Sequence, residues 1–171
     1  LKSTMVTPPA TVLARIKSDG DAVRTARQRE APLGDFWRGF ESPALGRISG
    51  IYGSQRILNG QPRQPHYGID IAAPTGTPVY APASGLVTLV KDLYFSGWTV
   101  LIAHGLGVNS SFLHFDRVDV ETGMIVERGG LIGKIGATGR ATGPHLDWRI
   151  DWQGRRIDPG LLVGAMPDPA T

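Results

Sequence analysis

Cysteine is absent from these 171 residues, which removes disulfides, thiolate metal sites and a cysteine nucleophile together. The compartment stays open, because a domain of this size is stable outside the cell without disulfides. Charge of one sign is not in excess either: 18 Lys and Arg stand against 15 Asp and Glu, a net of +3. No Lys/Arg stripe is present, which argues against a nucleic-acid partner. Apolar runs are short, as in Leu86-Val87-Thr88-Leu89-Val90, against the ~20 residues that span a bilayer. No membrane span is therefore expected in this chain. Leu1 rather than Met opens the sequence, so a processed product without a visible leader is expected.

Turn formers are plentiful. With 23 Gly and 13 Pro against 41% hydrophobic residues, the composition is globular and favours many short strands over a helical bundle. Residues 1–45 differ from the rest: Val12, Leu13 and Ile16 at helical spacing predict one or two short helices around Ser18-Asp19-Gly20. Phe36, Trp37 and Phe40 are expected to anchor this extension on the main domain. From Gly46 the pattern is β, with strands expected at Arg47–Tyr52, Gly85–Lys91, Trp98–Ala103, Val108–Phe115, Leu131–Gly136 and His145–Trp152. Thr75-Gly76-Thr77-Pro78-Val79 leading to Gly85-Leu86-Val87 is echoed by Thr122-Gly123-Met124-Ile125-Val126 leading to Gly130-Leu131-Ile132, as in a duplicated hairpin. The expected fold is thus mainly β: an antiparallel sandwich or barrel-sandwich hybrid over residues 46–163, with a short helical N-terminal extension and a flexible tail at 164–171.

Four histidines carry most of the chemical content. His66 and Asp70 flank Gly68 in Pro65-His66-Tyr67-Gly68-Ile69-Asp70, where Pro and Gly disfavour a helix. On a straight strand they would stand about 13 Å apart; a bend at Gly68 would bring both to one centre. Two readings fit, a turn with an Asx hydrogen bond or a pair of metal ligands. In Gly143-Pro144-His145-Leu146-Asp147-Trp148-Arg149, strand alternation puts His145, Asp147 and Arg149 opposite Leu146, Trp148 and Ile150. That polar face is either a solvated strand surface or a cleft wall. Phe112 and His114 are expected to share a face of their strand, and His104, closing a strand before Gly105, is expected to be structural.

Taken in order, His66-x-x-x-Asp70, the strand residue His114 and Gly143-Pro144-His145-x-Asp147 closely resemble the lysostaphin-type (LytM-like) zinc metallopeptidases, which are peptidoglycan endopeptidases. The likeness extends from His66-Tyr67-Gly68-Ile69-Asp70 through Thr75-Gly76-Thr77-Pro78-Val79-Tyr80-Ala81-Pro82, and from Ile132-Gly133 to Thr138-Gly139-Arg140-Ala141-Thr142-Gly143-Pro144-His145-Leu146. The resemblance implies one zinc ion per chain with His66 and Asp70 as ligands, and His114 and His145 as catalytic residues. Where the family closes a His-x-His with its third ligand, Asp147 stands here. An Asp oxygen reaches about as far from the backbone as an imidazole Nδ1, and Asp is a legitimate zinc ligand. Two Asp and one His bring the zinc site to formal neutrality, so bound water is polarised less.

The implied function is hydrolysis of amide bonds in peptidoglycan cross-links, outside the cytoplasm in the periplasm or envelope. Tyr67, Tyr94 and Trp98 are candidate groove walls, and Arg56, Arg63 or Arg149 candidate partners for stem-peptide carboxylates. Residues 53–65 read as a long polar loop beside the site. Two alternatives remain. One is an inactive relative that binds peptidoglycan or regulates another wall hydrolase; an upstream domain or regulator is a further expected partner. The other is a biotinyl or lipoyl carrier, disfavoured because Lys134 lies inside a strand-like stretch and Lys91 lacks the expected flanking residues.

Overall fold

The structure, a computed structural model, describes residues 3–164; the expected tail at 164–171 falls outside them apart from its first residue. After a single turn of helix, α1 (Ser3–Val6), the helix α2 runs over Leu13–Arg27. Twelve strands follow: β1 (Arg47–Gly50), β2 (Arg56–Leu58), β3 (Gln61–Arg63), β4 (Ile69–Ala72), β5 (Pro78–Tyr80) and β6 (Gly85–Leu93). The second half holds β7 (Gly97–Gly105), β8 (Val108–Val118), β9 (Ile125–Val126), β10 (Leu131–Ile135), β11 (His145–Trp152) and β12 (Arg155–Ile157). Ten of these form one antiparallel sheet in the order β1-β4-β11-β8-β7-β6-β9, with β10 pairing β5 and β8, and β12 pairing β11. No helix among the described residues is long and apolar enough to cross a membrane.

The echoed turn-and-strand units are built as a crosswise pair. β5 and β6 come from the first unit, β9 and β10 from the second, and β5 pairs with β10 while β6 pairs with β9. Gly76 and Gly123 hold equivalent turns with φ of 92° and 100°, a conformation that costs glycine little. The linking hydrogen bonds are reciprocal: Gly129 N–H donates to the Ala81 carbonyl and Ala81 N–H to the Gly130 carbonyl.

Alternation along the central strands gives the sheet two unlike faces. One face sends Leu146, Trp148 and Ile150 from β11, with Phe112 from β8 and Val100 and Ile102 from β7, into a core with no solvent exposure. Val79, Ile132 and Ile135 of the crosswise unit complete that core. Phe40 joins it against His104 and Trp148, with ring centroids 5.4 and 6.4 Å away. Trp37, expected beside it as an anchor, is 71% exposed; it sits in a one-turn 3-10 segment whose neighbours Phe36 and Phe40 take the inward positions. His104 is structural: its Nδ1–H donates to the Ser84 carbonyl, so Nε2 accepts from the Ser110 hydroxyl, both at 2.8 Å.

Three local expectations are resolved or changed. Of the one or two helices expected around Ser18-Asp19-Gly20, one continues through Gly20 as α2, where Asp19 is buried and docks the helix on the β6–β7 turn. Its carboxylate accepts from Tyr94 N–H at 2.8 Å and pairs with Lys91 at 3.3 Å. The polar stretch 53–65 contains the hairpin β2–β3, closed by Asn59 and Gly60 at φ of 49° and 77°, the signature of a primed turn. Lys134 lies within β10, paired with Arg117 and Pro78, and so offers no hairpin-tip lysine for a carrier.

Truncating Trp148 to Ala empties the centre of the core. Unfolding in urea is expected to show a loss of about 3–5 kcal/mol.

Candidate metal centre

Both short motifs converge on one point of the polar sheet face. β4 and β11 are neighbours in a register that sets Asp70 opposite Asp147. His66 precedes β4 and is fixed by two backbone bonds, its N–H to the Ser54 carbonyl and its carbonyl to Gly53 N–H. The chain between them passes close over β11: a Cβ at Gly68 would fall 2.6 Å from the Trp148 carbonyl oxygen and 2.8 Å from Asp147 Oδ1. Gly68 is thus required by close approach, and its φ is not positive. His66 Nε2 ends 2.9 Å from Asp70 Oδ1, in place of the roughly 13 Å of a straight strand.

Donor atoms of His66, Asp70 and Asp147 lie within 4.8 Å of one another. Both ring nitrogens of His66 and Oδ1 of Asp70 are buried without a hydrogen-bond partner. Their short contact is side by side rather than aligned as a hydrogen bond. Buried polar atoms are ordinarily satisfied, so an orphaned imidazole beside an orphaned carboxylate oxygen fits a cation between them. Asp147, fully buried, is in addition gripped by Arg149, which donates from Nε to Oδ1 at 2.9 Å and from Nη2 to Oδ2 at 2.6 Å. Arg56 Nη2 stands 3.5 Å from both Asp70 Oδ2 and Asp147 Oδ2. Burial alone would raise the Asp147 pKa, but the charge and hydrogen bonds of Arg149 outweigh it and hold the carboxyl below its usual range. Oδ2 accepts from both arginines, while Oδ1 accepts from Arg149 alone and keeps a second lone pair, so the arginine leaves room for a metal while fixing the rotamer.

His114 and His145 flank this cluster with ring centroids 4.7 Å apart. His114 arrives there through a backbone irregularity that alternation does not foresee. Val100 pairs with Phe112 and Trp98 with Phe115, so three steps of β8 match two of β7, a β-bulge. Phe112 and Phe115 both enter the core, and His114, at φ 70°, leaves the face it was expected to share with Phe112. Its Nδ1 lies 2.7 Å from the Thr138 carbonyl; a carbonyl only accepts, so Nδ1 carries the proton and Nε2 is free. His145 has the same tautomer, set by the Gly143 carbonyl at 2.9 Å, and its Nε2 is 3.9 Å from Asp70 Oδ1. Burial, then the neighbouring His145, pushes the His114 pKa down to about 4.

The candidate groove residues divide. Tyr67 packs against Tyr52 at 5.9 Å between centroids. Trp98 is 41% exposed. Tyr94 Oη donates to the Thr4 carbonyl at 2.9 Å, and Arg63 donates to the Val6 carbonyl at 2.7 Å. The N-terminal residues therefore lean on both walls beside the cluster. Arg56 and Arg149 face the site's own carboxylates instead of open cleft. Sequence reasoning passed over Arg27 and Arg156, which reach the same face from α2 and β12; spacing gave no signal for either.

A mainly β fold built on one large antiparallel sheet is that of the lysostaphin-type metallopeptidases. The catalytic domain of lysostaphin from Staphylococcus simulans matches with a TM-score of 0.61 and 27% identity, covering 67% of this chain and 89% of that one. Within that class, the chain belongs to peptidase family M23, whose model matches residues 64–159. The peptidoglycan DD-endopeptidase ShyA of Vibrio cholerae is 36% identical over 141 residues, 82% of this chain and 30% of that protein. A zinc-containing peptidase from Vibrio cholerae matches at TM-score 0.67 and 32% identity over 76% of this chain and 41% of that one. The chain thus spans well under half the length of the curated relatives it matches, 30% of ShyA and 22% of ShyB.

His104 and His114 both have folded-state pKa values near 4, below the ordinary histidine value of 6.5. For His104 burial is the main cause, opposed by its bond to the Ser84 carbonyl and by the charge of Asp35. A depressed histidine binds fewer protons folded than unfolded, so its contribution is present above the unfolded pKa and lost as pH falls toward the folded one. Urea unfolding at pH 6.5 and 4.5 is expected to show a loss of about 2 kcal/mol per such histidine. In His104→Gln one such share of the pH dependence disappears.

Proposed function

We propose that this chain is the zinc-dependent peptidase unit of a peptidoglycan endopeptidase, hydrolysing amide bonds in the peptide cross-links of the wall. The observation that carries the proposal is the orphaned His66 and Asp70 pair opposite Asp147, on a chain of family M23 whose relative ShyA is named a peptidoglycan DD-endopeptidase. A wall substrate places the activity outside the cytoplasm, and a periplasmic location accords with it.

His66, Asp70 and Asp147 hold the ion, one per chain. When bound, zinc supplies Lewis acidity toward the scissile carbonyl and lowers the pKa of water toward neutrality. Proton handling falls to the two imidazoles, each presenting a free Nε2 because a backbone carbonyl fixes the Nδ1 proton. His145 Nε2 lies 3.9 Å from the ligand oxygen Asp70 Oδ1, which places it at the edge of the cluster to take a proton from water. Burial lowers the His114 pKa, and this imidazole is placed to orient water or substrate. Arg149 positions Asp147, as partners of metal-ligating carboxylates do.

The grip of Arg149 on both oxygens of Asp147 supports one second reading, a relative in which a guanidinium replaces the metal and the groove only binds wall peptide. Elemental analysis after dialysis against zinc separates the two. About one zinc per chain is expected, lost in Asp147→Ala. His145→Ala is expected to keep its zinc and lose turnover by at least ~10²-fold. A parent protein without zinc overturns the hydrolase and leaves the binding module.

A further inference from the structure

Helix α2 spans the polar face of the sheet beside the metal cluster and roofs a cavity of about 850 Å³. Four arginines line it: Arg24 and Arg27 from the last turn of α2, Arg149 from β11 and Arg156 from β12. Three of them have carboxylate partners, Arg24 with Asp21 at 2.7 Å, Arg27 with Asp151 at 3.0 Å and Arg149 with Asp147 at 2.6 Å. Arg156 has no such ion pair, and its Nη1 is buried without a hydrogen-bond partner. Burial and then the Arg156 charge push the Arg27 pKa down to about 10, and burial and then Arg149 lower that of Arg156. Among the four lining guanidiniums, Arg156 is thus the one with no carboxylate in ion-pair range, in a partly desolvated space. Leaving a buried cationic donor unmet is costly, and a ligand anion is what would meet it.

Away from the arginines the walls are mixed, with Ile16 and Val23 on the helix, Leu101 and Leu113 on the sheet, the amides of Gln28 and Gln153, and Asp19, whose carboxylate is taken up by Tyr94 N–H and Lys91. A small inorganic anion would leave most of this volume unused; a short peptide ending in a carboxylate would fill it. Arg149 belongs to both places, gripping Asp147 and lining the cavity, so a ligand seated there lies next to the metal cluster. Arg27 lies outside the matched family segment of residues 64–159, which makes the pocket a joint product of that segment and the N-terminal helix.

We infer that the cavity between α2 and the sheet is a carboxylate-recognition subsite for a short peptide, with Arg156 as its principal donor and Arg27 and Arg149 as supporting charges. A bidentate guanidinium–carboxylate pair is the chemistry that recognises such a group. The inference deepens the peptidase proposal and rests on it for the choice of a wall-type peptide, while the binding itself needs no turnover.

Calorimetric titration of the intact chain with N-acetyl-D-alanyl-D-alanine, and with its C-terminal amide, tests it. The acid is expected to bind at least tenfold more tightly than the amide. Acetate is expected to bind at least tenfold more weakly than the acid. Arg156→Gln abolishes the preference for acid over amide, Arg156→Lys retains part of it, and both variants keep the parent's melting temperature within a few degrees and its zinc content. Equal binding of acid and amide, no binding of the acid, acetate matching the acid, or an unchanged preference in Arg156→Gln each overturns the subsite. A protein that holds no zinc yet prefers the acid would overturn the peptidase proposal and leave the subsite standing.

Discussion

The two-residue pleat of β11 is the constraint on which the rest of the molecule depends. Within eight residues it drives Leu146, Trp148 and Ile150 into the core and sets His145, Asp147, Arg149 and Asp151 along the opposite face. A slip of one residue would exchange the two sets, putting carboxylates among aliphatic side chains, so burial on one side fixes the register that the other side needs. Pairing with β4 then places Asp147 against Asp70. Two carboxylates so close repel unless something cationic stands near, and Arg149 and Arg56 supply that charge from within the fold.

This arrangement explains why the site survives burial. Asp147 has no solvent exposure, and an unpaired carboxylate there would cost several kcal/mol. The fork of Arg149 offsets that cost and fixes the side chain in one rotamer. His66 has no comparable neighbour: its ring is buried and unbonded, so its stability depends on what the cluster binds. Stability and ligand occupancy are therefore linked at this residue.

Much of this was legible in residue order. β11 falls at His145–Trp152 as alternation required, and the convergence of His66 and Asp70 followed from a Gly between them, although the reason proved to be close packing on β11 and not an unusual φ. What escaped was set by tertiary contact. The bulge that turns His114 toward His145 leaves no mark in hydropathy, because Leu113 and His114 would alternate acceptably without it. Whether one helix or two runs through Ser18-Asp19-Gly20 is decided by the partners Asp19 finds on the β6–β7 turn. Arg27 and Arg156 lie far apart in sequence and come together only when α2 closes over the sheet.

The crosswise pairing of the echoed units carries a consequence for how the chain reaches this state. Neither unit can satisfy its own strand edges: β5 waits for β10 and β6 for β9. The partners are separated by the whole of β7 and β8, so contact order is high and closure is slow. A chain emerging from its N-terminus exposes those edges until the second unit is complete, an interval in which open strands invite intermolecular pairing. The same interlock makes the finished domain resistant to piecemeal opening, since releasing either unit unpairs the other. Symmetry inherited from a repeat thus becomes a latch, slow to shut and slow to spring.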